Sequence, residues 1–148
     1  MSKPELIAIN HEDHHATHIG RLKDGRQFFL TTPFVPAMGG EAGREFVASY
    51  LFDKSGRFLD AQIDDLGVRA ELDEAHAHRV FTQRLAELGP VEYGRIEVCP
   101  FAIERFGVTF GLVPQPPDDE DDDEWAVELH PGNYMAFAEP WDSGEYDT

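Results

Sequence analysis

Glu45-Phe46-Val47-Ala48-Ser49-Tyr50-Leu51-Phe52 is followed by Asp53-Lys54-Ser55-Gly56, and then by Arg57-Phe58-Leu59-Asp60-Ala61-Gln62-Ile63-Asp64. Two runs rich in aromatic and branched residues flank a short turn-forming segment, the pattern of a β-hairpin. Side chains alternate across a strand, so Phe46, Ala48, Tyr50 and Phe52 share one face. Phe58 falls out of step with Leu59, Ala61 and Ile63. The odd-numbered set is expected to face inward, because a one-residue slip would turn every side chain to the other face.

Upstream, His18-Ile19-Gly20-Arg21-Leu22 and Gln27-Phe28-Phe29-Leu30-Thr31-Thr32 flank Lys23-Asp24-Gly25-Arg26. Asp24-Gly25 predicts a two-residue type I′ turn, which requires positive φ. Pro33, Pro36, Gly39, Gly40 and Gly43 mark a loop. Residues 1–17 read as a polar arm that begins with a short strand, Leu6-Ile7-Ala8-Ile9.

Downstream, Ala77, Val80, Phe81, Leu85 and Leu88 recur at helical spacing, with Asp73 as a cap and Gly89-Pro90 as a stop. One main α-helix is therefore expected over about 73–88. Further strand signals lie at 95–98, 108–113, 125–129 and 134–137, the last two joined by a turn at Pro131-Gly132-Asn133. Strands arranged as hairpins around one helix predict an α+β domain with a largely antiparallel sheet and the helix packed on one face.

At 148 residues the chain fits a single domain, 1–148. A domain of this size buries roughly 68–70% of the surface its unfolded chain exposes. The single cysteine, Cys99, excludes an internal disulfide. Met1-Ser2-Lys3-Pro4 lacks the apolar run of a secretory signal, and no stretch reaches the length of a spanning helix. A cytoplasmic, reducing setting is expected. Net charge is −17, which disfavours nucleic acids and anionic membrane surfaces as partners. All 12 basic residues fall within residues 1–116, whereas residues 117–148 carry 12 acidic residues and no Lys or Arg.

Asp118, Asp119, Glu120, Asp121, Asp122, Asp123 and Glu124 follow Pro114-Gln115-Pro116-Pro117. Seven adjacent carboxylates repel one another, so 114–124 is expected to be an acidic, flexible loop within the domain. Its plain role is solvation; its functional role is an anionic patch that meets a basic protein. Trp141 and Tyr146 lie among further carboxylates. Trp141 is expected to pack against the body, and Tyr146 is a candidate contact for the partner.

His11-Glu12-Asp13-His14-His15 matches H-E-x-x-H, with His18 three residues on. That chemistry needs the histidines one turn apart on a helix, and no apolar helical stripe runs through this segment. A His-rich polar loop is the preferred reading, and His11, His15 and His18 are only weak metal candidates. His76 and His78 stand two apart on the helix and face different ways. Cys99 is expected to be an inert thiol, since an acidic chain offers little electropositive surrounding. Asp53-Lys54-Ser55-Gly56 looks like the start of a calcium loop but lacks its closing Glu. No nucleotide-binding pattern or nucleophile elbow occurs, and no cofactor and no catalytic residue is expected.

Gly43-Arg44-Glu45-Phe46 through Phe52-Asp53, Gly56 through Asp65-Leu66-Gly67, and Pro140-Trp141-Asp142 through Tyr146-Asp147-Thr148 resemble parts of small bacterial proteins. Some of these are labelled formate hydrogenlyase regulatory protein-like. The resemblance spans most of the chain and rests on hairpin turns and an aromatic-acidic end. It implies a bacterial origin and a regulatory role, and it carries over no catalytic residues. The expectation is a non-catalytic acidic module that regulates or inhibits a basic protein, immunity-like in form. The alternatives are a metal-binding protein or hydrolase using the His11–His18 cluster, and a structural subunit whose sheet edge builds a homo-oligomer.

Overall fold

The hairpin expected at 45–64 forms, with a change at Leu59, and the rest of the molecule is laid around it. A computed structural model describes residues 5–11, 17–36, 40, 42–115, 125–131, 135–137 and 144–146. In chain order the strands before the helix are β1 (Ile7–Ile9), β2 (Ile19–Leu22), β3 (Gln27–Thr31), β4 (Phe34–Val35), β5 (Arg44–Phe52) and β6 (Phe58–Val68). Helix α1 (Glu74–Glu87) follows. Then come β7 (Val91–Tyr93), β8 (Ile96–Val98), β9 (Phe101–Arg105), β10 (Val108–Gln115), β11 (Ala126–His130), β12 (Met135–Phe137) and β13 (Gly144–Tyr146).

The fold is α+β, with every described strand pair antiparallel and one α-helix packed on a sheet. In the first sheet β5 lies between β6 and the edge shared by β3 and β4, and β2 and β7 continue beyond β3. The second sheet runs β9-β10-β11-β12-β13. A two-stranded ribbon, β1-β8, completes the set. The core lies between the two sheets. Phe29, Phe46, Tyr50 and Phe52 of the first meet Phe110, Leu112, Val127 and Leu129 of the second. The ribbon contributes Ile7, Ile9, Ile96 and Val98 to the same core. Each such side chain contributes roughly 1.5–3 kcal/mol on burial. The arm expected at 1–17 thus begins with a core strand, because Ile7 and Ile9 are the apolar pair that β8 covers.

Both early hairpins turn through three residues. Leu22 N–H donates to the Arg26 carbonyl (2.8 Å), and Asp53 N–H donates to the Arg57 carbonyl (2.9 Å). The two-residue I′ turn expected at Asp24-Gly25 is therefore replaced by a loop of three, 23–25, closed by Gly25 at φ +94°. The cause is the aspartate at each turn. Asp24 accepts from Arg26 N–H, and Asp53 accepts from the N–H groups of Ser55 and Arg57. Such contacts favour a turn followed by a left-handed residue.

The ambiguous alternation at Phe58 is settled by a β-bulge. Leu51 stands opposite Asp60 but Phe52 stands opposite Phe58, so Leu59 is the extra residue. Leu59 is half exposed, at 49%. Ala61 and Ile63 face the core as expected. Phe58 faces it in place of Leu59 and stacks on Phe101, with ring centroids 4.3 Å apart. A second bulge turns Leu66 toward the helix side.

Helix α1 begins at the Asp73 cap, whose carboxylate accepts from the N–H groups of Ala75 and His76. Its half-buried Val80, Phe81 and Leu85, with Leu88 just past its end, cover Phe28, Leu30 and Val47 on the outer face of the first sheet.

One buried polar side chain joins these parts. Gln27 is 1% exposed. Its Nε2 donates to the Glu97 carbonyl (2.8 Å) and the Asp53 carbonyl (3.2 Å), and its Oε1 accepts from Glu97 N–H (2.8 Å). The amide thus acts as a strand's backbone would, tying β3 and the β5–β6 turn to β8. Gly56 lies in the same seam. A Cβ there would stand 2.5 Å from the Glu97 carbonyl oxygen, so only glycine fits.

Gln27→Leu strands the Glu97 N–H and carbonyl, while the Asp53 carbonyl keeps the Gly56 N–H, and should cost about 2–4 kcal/mol in urea unfolding. The bulge gives a paired comparison. Phe58→Ala should cost roughly 2–3 kcal/mol, whereas Leu59→Ser should stay within about 0.5 kcal/mol of the parent.

Candidate functional site

The expected partner-binding segment belongs to the connection between β10 and β11. Gln115 pairs with Ala126, so the chain leaves and re-enters the second sheet at one point. Asp118 to Glu124 lie outside the described residues, as do Trp141, His14, His15, Gly132 and Asn133. The backbone of Tyr146 is in β13, opposite Met135, and its side chain lies outside what is described.

His11 and His18 are brought together. β1 and β8 form one ribbon and β2 pairs with β7, so the ends of β1 and β2 meet beside Tyr93. The two imidazoles lie 5.9 and 5.8 Å from the Tyr93 ring. His18 also sets its ring edge-to-face against Phe81 of α1 at 4.9 Å. His11 Nε2 bonds the Thr17 carbonyl at 3.0 Å, and His18 Nδ1 bonds the Thr17 hydroxyl at 2.8 Å. Burial pushes the His18 imidazole below its ordinary value, and the nearby His11 adds to the shift. Two imidazoles set into an aromatic cluster make a joint between helix and sheet. Among the described residues no three His, Cys, Asp or Glu side chains gather to hold a metal.

The remaining candidates resolve locally. His76 and His78 are exposed on α1. Burial pushes the Cys99 thiol up, Asp53 and Glu5 raise it further, and Arg57 opposes them. Cys99 is thereby kept in its neutral, unreactive form. The Asp53 carboxylate is occupied by its own turn: Arg57 N–H above all, then the Ser55 hydroxyl, holds it below the usual carboxylate range.

A cleft of about 170 Å³ lies on the outer face of the first sheet, beside the C-terminal half of α1. Register places its parts. Ser49 stands opposite Gln62, Leu51 opposite Asp60, and Val47 opposite Asp64. Cross-strand partners share a face, so Asp60, Gln62 and Asp64 form a polar row along β6 on the helix side. Arg84 of α1 binds Asp64 through two bonds, Nε to Oδ2 at 2.7 Å and Nη2 to Oδ1 at 2.9 Å. Its Nη1 donates to Glu87 at 3.1 Å. The Asp64 carboxylate, followed by Glu87, holds the guanidinium above its ordinary range. The helix stops short of Asp60 and Gln62 and leaves them open beside Ser49 and Leu88. Sequence reasoning missed this place because Asp64 and Arg84 are twenty residues apart on different elements. The one available signal was polar residues at alternate positions, 60, 62 and 64, in a strand whose other face is apolar.

No protein-family model, curated protein or solved structure matches the chain. Among the described residues no helix is long and apolar enough to cross a membrane.

His18 makes stability depend on pH in a defined direction. Its folded-state value lies below the unfolded one, so the unfolded chain takes up the proton first. Stability from this group is complete above the ordinary imidazole value of 6.5 and is lost as pH falls from there to the lower folded value. Thermal unfolding of His18→Gln from pH 7.5 downward should show a smaller decline than the parent through that window. Equal declines would remove His18 as the cause.

Proposed function

We propose that the protein is a non-catalytic acidic binding module that regulates or inhibits a basic protein partner. The observation that carries the reading is the charge of residues 117–148, which hold 12 carboxylates and no Lys or Arg. Opposite potentials accelerate encounter and select the partner. Asp118 to Glu124 supply the dense charge, and Tyr146 supplies an aromatic contact. If the partner is a nuclease or other nucleic-acid-binding toxin, the carboxylates stand where phosphates would, as in an immunity protein. The resemblance to formate hydrogenlyase regulatory protein-like sequences supports a regulatory role in a bacterial cytoplasm. The residues that carry it include β5, β6 and the turn between them, which are scaffold.

The test replaces Asp118 to Glu124 with Asn and Gln at unchanged length. The tagged chain should retain from native lysate, at low salt, a protein with an isoelectric point above about 9. Retention should fall as salt rises and disappear in the neutralised variant. A partner held equally by both chains at low and high salt would defeat the proposal. Elution of the pure protein as a concentration-independent oligomer, with no basic partner captured, would favour a structural subunit instead.

A further inference from the structure

We infer that the cleft between α1 and the β5–β6 ladder is a seat for an alkyl cation, the arginine or lysine side chain of a basic protein. This deepens the functional reading and rests on it, because it supplies the place where such a partner inserts a residue.

The first observation is an unpartnered polar group. Among the described residues three polar side chains are buried: Gln27 is fully bonded and Thr31 has a partner, whereas the Ser49 hydroxyl has none there. Ser49 is 7% exposed and lines the cleft. It lies two residues from both Val47 and Leu51 on the helix-facing side of β5, so its hydroxyl points to the space that α1 leaves open. The hydroxyl oxygen opens onto the cleft, where water or a ligand completes its hydrogen bonding.

The second observation is the charge balance of the walls. Arg84 spends its donors on Asp64 and Glu87. Asp60 and Glu87 of the lining, with Asp64 bound to Arg84 beside it, outweigh the Arg84 charge, and the Gln62 amide and Ser49 hydroxyl can each accept a hydrogen bond. The last carbonyls of α1 end at Leu88 and add a partial negative charge. A carboxylate or phosphate would enter against this field, in a chain of net charge −17. A cation enters with it.

The third is shape. Leu51 and Leu88 form the apolar part of the lining. A volume near 170 Å³ is below the roughly 300–1,000 Å³ of small-molecule sites and suits a single side chain. An aliphatic stem packs on the leucines while the head reaches Asp60, Gln62 and Ser49, as long cationic side chains do.

The probe is butylguanidinium, titrated into the isotope-labelled full chain and followed by amide shifts. Saturable shifts should appear at 49, 51, 60–62 and 84–88, with affinity on the order of millimolar. Butanol and butyrate should leave these amides unmoved. Ser49→Ala and Asp60→Asn should each weaken binding about tenfold, with the remaining spectrum intact. Absence of saturable shifts, or an affinity untouched by both substitutions, would overturn the site. The two readings separate cleanly. Cation binding in the cleft with no basic partner captured removes the functional reading and leaves the site. A captured partner whose affinity ignores both substitutions removes the site and leaves the reading.

Discussion

The Gln27 amide is the constraint on which the arrangement of layers depends. Two sheets and a ribbon share one apolar core, but apolar packing has no direction, and many offsets would bury similar area. Three hydrogen bonds from one buried side chain remove that freedom. They place β8 at the end of β3 and bring the β5–β6 turn against it. Gly56 then admits the Glu97 carbonyl at a distance no side chain would allow. Once β8 is held, β1 has an edge to pair with, and Ile7 and Ile9 enter the core. A residue that reads as a polar strand opening is thus the joint of the molecule.

Much of the first sheet was legible because its information is local. The face shared by Phe46, Ala48, Tyr50 and Phe52 follows from a period of two, and α1 follows from its stripe, its Asp73 cap and Gly89. Finer points escaped for physical reasons. A three-residue loop and a two-residue I′ turn both accept Asp-Gly, and the choice rests on which N–H groups the aspartate binds. Leu59 and Phe58 compete for one inward place, and the outcome was set by Phe101, more than forty residues away. The short strands β4, β7, β9 and β13 have weak alternation of their own and exist because a neighbour offers an edge. The second sheet stacking on the first is a non-local fact with no period in the sequence.

The candidate sites divide along the same line. The acidic run is compositional and visible at once, and its anchoring between Gln115 and Ala126 adds a fixed point to it. The meeting of His11 with His18 comes from strand pairing, with Tyr93 and Phe81 supplying the surroundings. The cleft is built from residues of β5, β6 and α1 that only register brings together, so its Ser49 and Asp60 carry no motif.

One property of β6 reaches beyond binding. It is eleven residues long, and among the described residues it pairs with β5 alone, leaving its other backbone edge open. An open edge of that length is a template on which a second copy can zip. β6 bears Asp60, Asp64 and Asp65 and no basic residue, and bulges at Leu59 and Leu66 interrupt its line. Asp64 is paired with Arg84 and Asp65 with Arg44, so two such edges brought together would set Asp60 against Asp60 and bulge against bulge. Asp60 and the two bulges therefore work against edge-to-edge pairing of copies, at the one long edge the first sheet leaves open among the described residues.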